Sequence, residues 1–416
     1  MIWKHRYTVL GILFLAYMLC YLDRMAMASA IPFIAHEFHL SSTAMGAVMS
    51  AFFAGYALMQ IPGGVLADRL GPRAVLTFSI AWWSVMTALS GAAPGLASLL
   101  AVRVLFGFGE GPFPSAASKA LSVWFPRREL GRATGLQQAS SAVGAAAAPL
   151  AVAGLVLTWG WRAVFYALSA PGIVIALVVW RYVRNARSDS RHVTGKERAE
   201  FGSPEDQHSV NPTSLAAVLG VPAVWWCAGC LFLANLVAWG LMSWLPTYLL
   251  QARGFSVEKM GTFAAITNLA GALGYVWGGY LCDRFFAHRM QMPIIVGLLL
   301  SAAFTYLAAV APTGEWAVAG LVAVFLFSNM AFTALFTIVL VIVPKQDVGS
   351  AFGVVNTAGQ LAGVLSPVLI GYVLSATHGN FELMLYGLVG LTFVAIYPAT
   401  QIKKSFKVGP LFQESQ

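Results

Sequence analysis

Charge is scarce in this chain. Only 10% of its 416 residues are Asp, Glu, Lys or Arg, against about 25% in a soluble globular domain. That shortage excludes an ordinary water-soluble fold. Cysteine is scarcer still. Cys20, Cys227, Cys230 and Cys282 all fall in apolar stretches, which leaves neither a disulfide framework nor a thiolate metal cluster. The Cys227 and Cys230 pair shares one apolar stretch and is read as small packing residues. The histidines lie outside the apolar stretches. No nucleophile–base pair, metal cluster or phosphate loop is found inside them, so neither an enzyme nor a resident cofactor is expected.

What fills the chain instead is apolar. Twelve runs have a length suited to crossing a bilayer: 8–33, 42–66, 74–94, 97–121, 130–157, 163–185, 220–250, 257–282, 290–311, 315–343, 349–376 and 380–400. Segments in lipid must satisfy their own backbone groups, and runs this long do so as helices. The expected fold is an all-α membrane protein of twelve transmembrane helices. The first run is not read as a cleaved signal peptide. It is too long, carries Asp23 and Arg24, and has no small-residue cleavage site after it.

The net charge of +9 invites a nucleic-acid reading, but the bases follow topology. With the N-terminus inside, 20 of the 25 Lys and Arg residues fall on the cytoplasmic side and 3 on the other; Arg24 and Arg103 lie within the runs. This bias places both termini and the polar loop 186–213 in the cytoplasm of a cell-membrane protein. The loop divides two halves, 1–185 and 214–401, with a tail at 402–416. An internal repeat supports the division. At an offset of 215, Ser41, Met45, Gly46, Gly63, Gly64, Asp68 and Arg69 match Ser256, Met260, Gly261, Gly278, Gly279, Asp283 and Arg284. At 218, Pro126, Gly131, Ala133, Gly135 and Pro149 match Pro344, Gly349, Ala351, Gly353 and Pro367. Two repeated six-helix bundles in one membrane chain point to a transporter.

Well inside the runs, away from their ends, lie only two acids and two bases: Asp23, Arg24, Arg103 and Glu110. Each costs about 2.5–3.5 kcal/mol at the centre of a membrane helix. Buried ion pairs add little net stability over apolar packing, so they are poor fasteners. Arg103 and Glu110 are seven apart, on one helix face and about 10 Å apart in rise. An arginine fork binds a carboxylate, and a desolvated carboxyl exchanges a proton near neutral pH. The pair therefore reads as anion anchor and proton site. Asp23 and Arg24 are neighbours that point about 100° apart on one helix, which allows them different partners; Arg24 is also expected to hold Asp23 ionised.

The loop "GGVLADRLGPR" (63–73) resembles the signature of the major facilitator superfamily, and "GGYLCDR" (278–284) is its echo. Within that superfamily "YLDR" (21–24), "RVLFGFGEG" (103–111), "WLPTYL" (244–249) and "NTAGQLAGVLSPVLIGY" (356–372) resemble the anion:cation symporter branch. That branch includes bacterial sugar-acid transporters and animal vesicular glutamate and sialic acid transporters. The resemblance covers nearly the whole chain. It implies proton coupling at Asp23 and Glu110, and substrate binding or gating at Arg24 and Arg103. It also implies substrate contacts at Tyr56, Asn356 and Thr333. Gln360 shares a helix face with Asn356. Two departures point to a less hydroxylated pocket. Ser141 stands where sugar-acid transporters have glutamine, with Gln137 one turn earlier. Leu335 and Phe336 replace a Thr-Trp pair. Asp68, Arg69, Arg73, Asp283 and Arg284 are expected to form a cytoplasmic gate.

The function implied is proton-coupled import of a small organic anion, a sugar acid or other carboxylate, by alternating access. The protein is expected to act as a monomer in the bilayer, without nucleic acid, and with the proton as coupling ion. Proton-antiport efflux is the alternative. "GAAAAPLAVAG" (144–154) lacks the Gly-Pro pair and paired glycines usual in such exporters, and two arginines suit anions. A non-transporting solute sensor would need an output domain larger than the polar segments present.

Overall fold

The computed structural model describes residues 5–125, 127–185, 218–285, 291–339, 342–343 and 348–405. The linker expected at 186–213 lies outside them, as does the tail beyond Ser405. The described residues form twelve α-helices and no strand: α1 (His5–Phe38), α2 (Ser42–Leu70), α3 (Pro72–Ala92), α4 (Leu96–Glu110), α5 (Phe113–Trp124), α6 (Arg127–Tyr182), α7 (Pro222–Thr247), α8 (Val257–Phe285), α9 (Gln291–Ala309), α10 (Gly314–Val339), α11 (Val348–Ala376) and α12 (Phe381–Ser405). A π-helical turn, Tyr248–Ala252, continues α7.

Ten described segments are long and apolar enough to cross a membrane. Two helix boundaries differ from the apolar runs, each for a local reason. The fourth run breaks into α4 and α5 at Gly111 and Pro112, where the proline has no N–H to continue the ladder. The fifth and sixth runs join in α6, a 56-residue helix with one non-helical position, Gly160, at φ 78°. That left-handed backbone is open to glycine at little cost, and it turns one span into the next. Large apolar side chains such as Leu58, Phe78, Val174, Leu177, Val276 and Tyr372 stand exposed, as the outer surface of a bundle in lipid requires.

The chain divides into two compact units: Met1–His208 with Leu245–Ala265, and Ser209–Trp244 with Ile266–Gln416. In the first, α1 and α3 pack along α6, and α2 lies on α4. Glycines set that last contact. A Cβ at Gly55 would strike the Val104 carbonyl, one at Gly107 the Phe52 carbonyl, and one at Gly111 would lie 2.8 Å from the Tyr56 carbonyl. The two backbones touch because neither carries a side chain there. The exit from α2 is fixed as well. Gly71 has φ 81°, and the Asn185 side chain fills the place of its absent Cβ. Asn185 accepts from the Arg73 amide at 3.0 Å.

In the second unit α9 packs on α10 and α12. Its core gathers Cys227, Cys230 and Leu231 of α7, Ile294 and Leu298 of α9, Leu335 and Ile338 of α10, Val355 of α11 and Ala399 of α12. Cys227 and Cys230 are free thiols in that core, in keeping with a packing role. Gly278 of α8 has the Met330 carbonyl of α10 at 2.8 Å from the place of a Cβ. Its repeat partner Gly63 on α2 lies against Pro112. The matched glycines thus meet the same neighbouring segment in each half. Neither α7 nor α10 carries a basic residue, and Glu315, in the first turn of α10, is their one acid.

Candidate functional site

The four charged residues that lie deep in the apolar runs come together in the first unit. Asp23 and Arg24 sit midway along α1, and Arg103 and Glu110 on the inner face of α4. Their exposures are 2%, 5%, 2% and 0%. Arg24 Nη2 donates to Glu110 Oε2 at 2.6 Å. It also approaches Cys20 Sγ, one turn back on α1, at 3.9 Å. The expected pairing of Arg24 with Asp23 is not formed. Successive residues on a helix point about 100° apart, and Arg24 is directed to α4. Asp23 has no ion pair among the described residues.

An aromatic cage surrounds the Arg24 guanidinium. Its Cζ lies 4.8 Å from the ring centre of Tyr21, 4.7 Å from Phe52 and 4.9 Å from Tyr56. Ring faces attract the cation and replace part of its lost hydration. Phe52 also serves Arg103, whose Cζ lies 5.6 Å from its centroid and 4.5 Å from that of Phe106. The backbone contact of α2 with α4 therefore carries one phenyl ring to both arginines. Phe106 packs on Phe52 at 5.5 Å and Tyr56 on Phe52 at the same distance.

Several polar atoms of this cluster are unsatisfied. Asp23 Oδ1, Arg24 Nε, Arg103 Nε and Glu110 Oε1 are buried without a hydrogen bond. Arg103 makes no hydrogen bond and no ion pair among the described residues. A buried cation in that condition is costly, and an entering anion relieves the cost through the guanidinium fork. Asp23 Oδ2 accepts at 3.5 Å from the Thr87 hydroxyl of α3.

The remaining expected residues are placed as follows. Tyr56 is buried beneath Arg24. Gln137 and Ser141 lie on α6, and no hydrogen bond joins them to the charged cluster. Ser141 donates to the Gln138 carbonyl at 2.6 Å. In the second unit, Thr333 donates to the carbonyls of Asn329 and Tyr275, each at 3.1 Å, and Phe336 stacks on Phe352 at 5.1 Å. Asn356 and Gln360 are half-buried on α11, and Gln360 Oε1 is buried without a partner. Of the expected gate, Arg69 is exposed. Arg73 Nε donates to the Trp180 carbonyl at 2.9 Å, and its guanidinium lies 3.8 Å from that ring's centre. The side chains of Asp68, Asp283 and Arg284 lie outside the described residues.

Sequence reasoning missed Cys20, Tyr21, Phe52, Trp83 and Thr87. The available signal was spacing: Cys20 and Arg24, Phe52 and Tyr56, and Trp83 and Thr87 are each four apart and share a helix face.

Residues 13–367 match the family model described as "Major Facilitator Superfamily". The chain belongs to the major facilitator superfamily. Curated proteins it resembles include several named as organic-anion transporters. It is 31% identical to a probable sulfoacetate transporter of Cupriavidus necator, over 91% of this chain and 90% of that one. It is 31% identical to a probable L-galactonate transporter of Escherichia coli, over 91% and 85%. It is 28% identical to a hexuronate transporter of Bacillus subtilis, over 91% and 90%. Among solved structures, a bacterial homologue of the human lysosomal transporter Spinster, inward-facing and unoccupied, aligns with a TM-score of 0.81 at 22% identity, over 97% of this chain and 98% of that one. That likeness confirms the twelve-helix fold. The protein is thus a multi-pass membrane transporter, and neither the family nor the relatives are enzymes.

Proposed function

We propose that the protein is a proton-coupled symporter, importing a small organic anion across the cell membrane with both termini in the cytoplasm. The observation that carries this reading is Arg103. It is a buried guanidinium with no hydrogen bond or ion pair among the described residues, on a helix that also holds Glu110. The relatives are named as a probable sulfoacetate transporter, a probable L-galactonate transporter and a hexuronate transporter, which supports a carboxylate or a sulfonate as the anion. Ser141 and Thr333 spend their hydroxyls on backbone carbonyls, which favours a cargo with few hydroxyls to satisfy.

Coupling follows from charge. Arg24 and Glu110 neutralise each other. Asp23 has no such partner, so an anion on Arg103 adds a negative charge beside a lone carboxyl. Like charges in a poorly solvated site raise each other's affinity for protons. Anion and proton therefore favour each other's binding, and each is carried by the state that holds both. The halves then alternate around the loaded site.

The test uses purified protein in proteoliposomes. Thermal stability is first screened against sulfoacetate, galactonate, hexuronates and aromatic carboxylates, because a ligand of the folded state raises it by mass action. The stabilising acid is then offered with and without an inward proton gradient. Accumulation driven by the gradient is expected. Efflux driven by the same gradient would instead establish antiport.

A further inference from the structure

Asp23 and Glu110 are both buried carboxyls, yet they are housed differently. Glu110 has the Arg24 guanidinium at 2.6 Å. Asp23 has no cation within ion-pair distance among the described residues. The charged groups that face it are Glu110 and Arg103 of α4. On its own helix Arg24 is turned to Glu110, and Cys20 lies one turn back. No titratable side chain of α2 is among the groups that act on it. Helix α6 has no ionisable residue between Ala133 and Trp161. The remaining neighbours come from α3, and they are Trp83 and Thr87.

These two α3 residues are one turn apart and completely buried. Thr87 Oγ1 donates to the Trp83 carbonyl at 2.9 Å and only reaches Asp23 Oδ2 at 3.5 Å, the far limit of a hydrogen bond. Trp83 Nε1 lies beside the carboxyl but makes no hydrogen bond, and Asp23 Oδ1 has no donor. Two donors and two oxygens thus stand close together and incompletely joined. A protonated, neutral acid tolerates this arrangement. A bare carboxylate does not, because it needs two or more donors when no cation pairs with it directly.

We propose that Trp83 and Thr87 are positioning residues of the proton site: when Asp23 releases its proton to solvent, the indole N–H and the threonine hydroxyl turn onto its two oxygens and hold it as a carboxylate. The inference rests on the reading of Asp23 as a proton carrier. Helix α3 then sets the pH at which the carrier unloads, although it carries no acid or base at that level.

The test needs no substrate. The carbonyl stretching band of protonated carboxyl groups is followed by infrared spectroscopy as the full-length protein in lipid is titrated with pH. The Asp23 component is the one lost in Asp23→Asn. Trp83→Phe and Thr87→Val each remove one donor to a charged acceptor and should raise the midpoint of that component by about one pH unit. Thr87→Ser, which keeps the hydroxyl, should return it to the parental value. Thr87→Val is isosteric and carries the test alone if Trp83→Phe fails to fold. An Asp23 band whose midpoint is unmoved or lowered in the folded variants overturns the role of α3 and leaves the proton-carrier reading standing. An Asp23→Asn variant that removes no band at any pH overturns both.

Discussion

Arg24 and Glu110 meet at 2.6 Å across 86 positions of chain, with side-chain exposures of 4% and 0%. The contact ties α1 to α4 and leaves Arg103 and Asp23, on the same two helices, without matching partners. One pair is closed and two groups are available. That division separates what holds the site together from what binds and carries.

Arg103→Ala should abolish anion binding without harm to the fold. Removal of one partner from a desolvated charge pair costs about 2–5 kcal/mol of affinity, which is a weakening of about 30-fold or more. Stability in the absence of ligand should hold or rise, because an uncompensated buried cation is lost. Arg103→Lys should also bind poorly, since an ammonium has no planar fork. Isothermal titration with the acid found in the stability screen reads this. Affinity within a few-fold of the parent would remove Arg103 from the site.

Glu110→Gln should act first on stability. It leaves Arg24 charged, buried and unpaired, a loss of about 3–5 kcal/mol. Arg24→Gln combined with Glu110→Gln should recover most of that loss without restoring transport. Unfolding in lipid, followed by tryptophan fluorescence, measures the cycle. A double variant as unstable as Glu110→Gln alone would show that the pair is not coupled as the contact suggests.

Asp23→Asn should behave oppositely. No ion pair is broken, so stability should change little. The amide mimics the protonated acid, and exchange of labelled substrate should persist. Accumulation driven by a pH gradient should be lost. Uphill accumulation at the parental rate would place coupling on Glu110 alone.

Gly107→Ala tests the route by which the fold builds the cage. The new methyl would strike the Phe52 carbonyl. Overpacking of this kind costs about 1–3 kcal/mol, and relief requires α2 to move off α4. Phe52 and Tyr56 would then withdraw from both arginines. A lowered melting temperature together with weakened anion binding is expected. Unchanged binding in a destabilised variant would mean that the rings pack but do not tune the site.

The fold was largely legible in the sequence. Runs of bilayer length can be little else than helices, and the repeat that matches Gly63 with Gly278 divided the chain into two halves. The break at Gly111 and Pro112 and the turn at Gly160 were less visible, because both lie in apolar sequence with no polar loop to mark them. The four charged residues were legible because lipid makes each of them expensive. Their pairing was not. Helical geometry already allowed Asp23 and Arg24 different partners, but nothing in the sequence marked Glu110, 86 positions away, as the partner of Arg24. The aromatic cage was hidden for another reason. With 27 Phe, 13 Trp and 13 Tyr in the chain, no single ring stands out, and only the glycine-set approach of α2 to α4 shows that Phe52 serves two cations.

The two arginines and two carboxyls of the cluster also have an electrical consequence. Fully ionised, their charges sum to zero. A proton on Asp23 makes the empty site singly positive, and a monovalent anion restores neutrality. A site loaded one-for-one therefore crosses the field without doing electrical work, while a second proton, on Glu110, would expose one charge to the membrane voltage at about 2.3 kcal/mol per 100 mV. Accumulation should respond to the pH difference alone for the first stoichiometry and to voltage as well for the second. A potassium diffusion potential imposed with valinomycin on proteoliposomes at equal pH distinguishes the two.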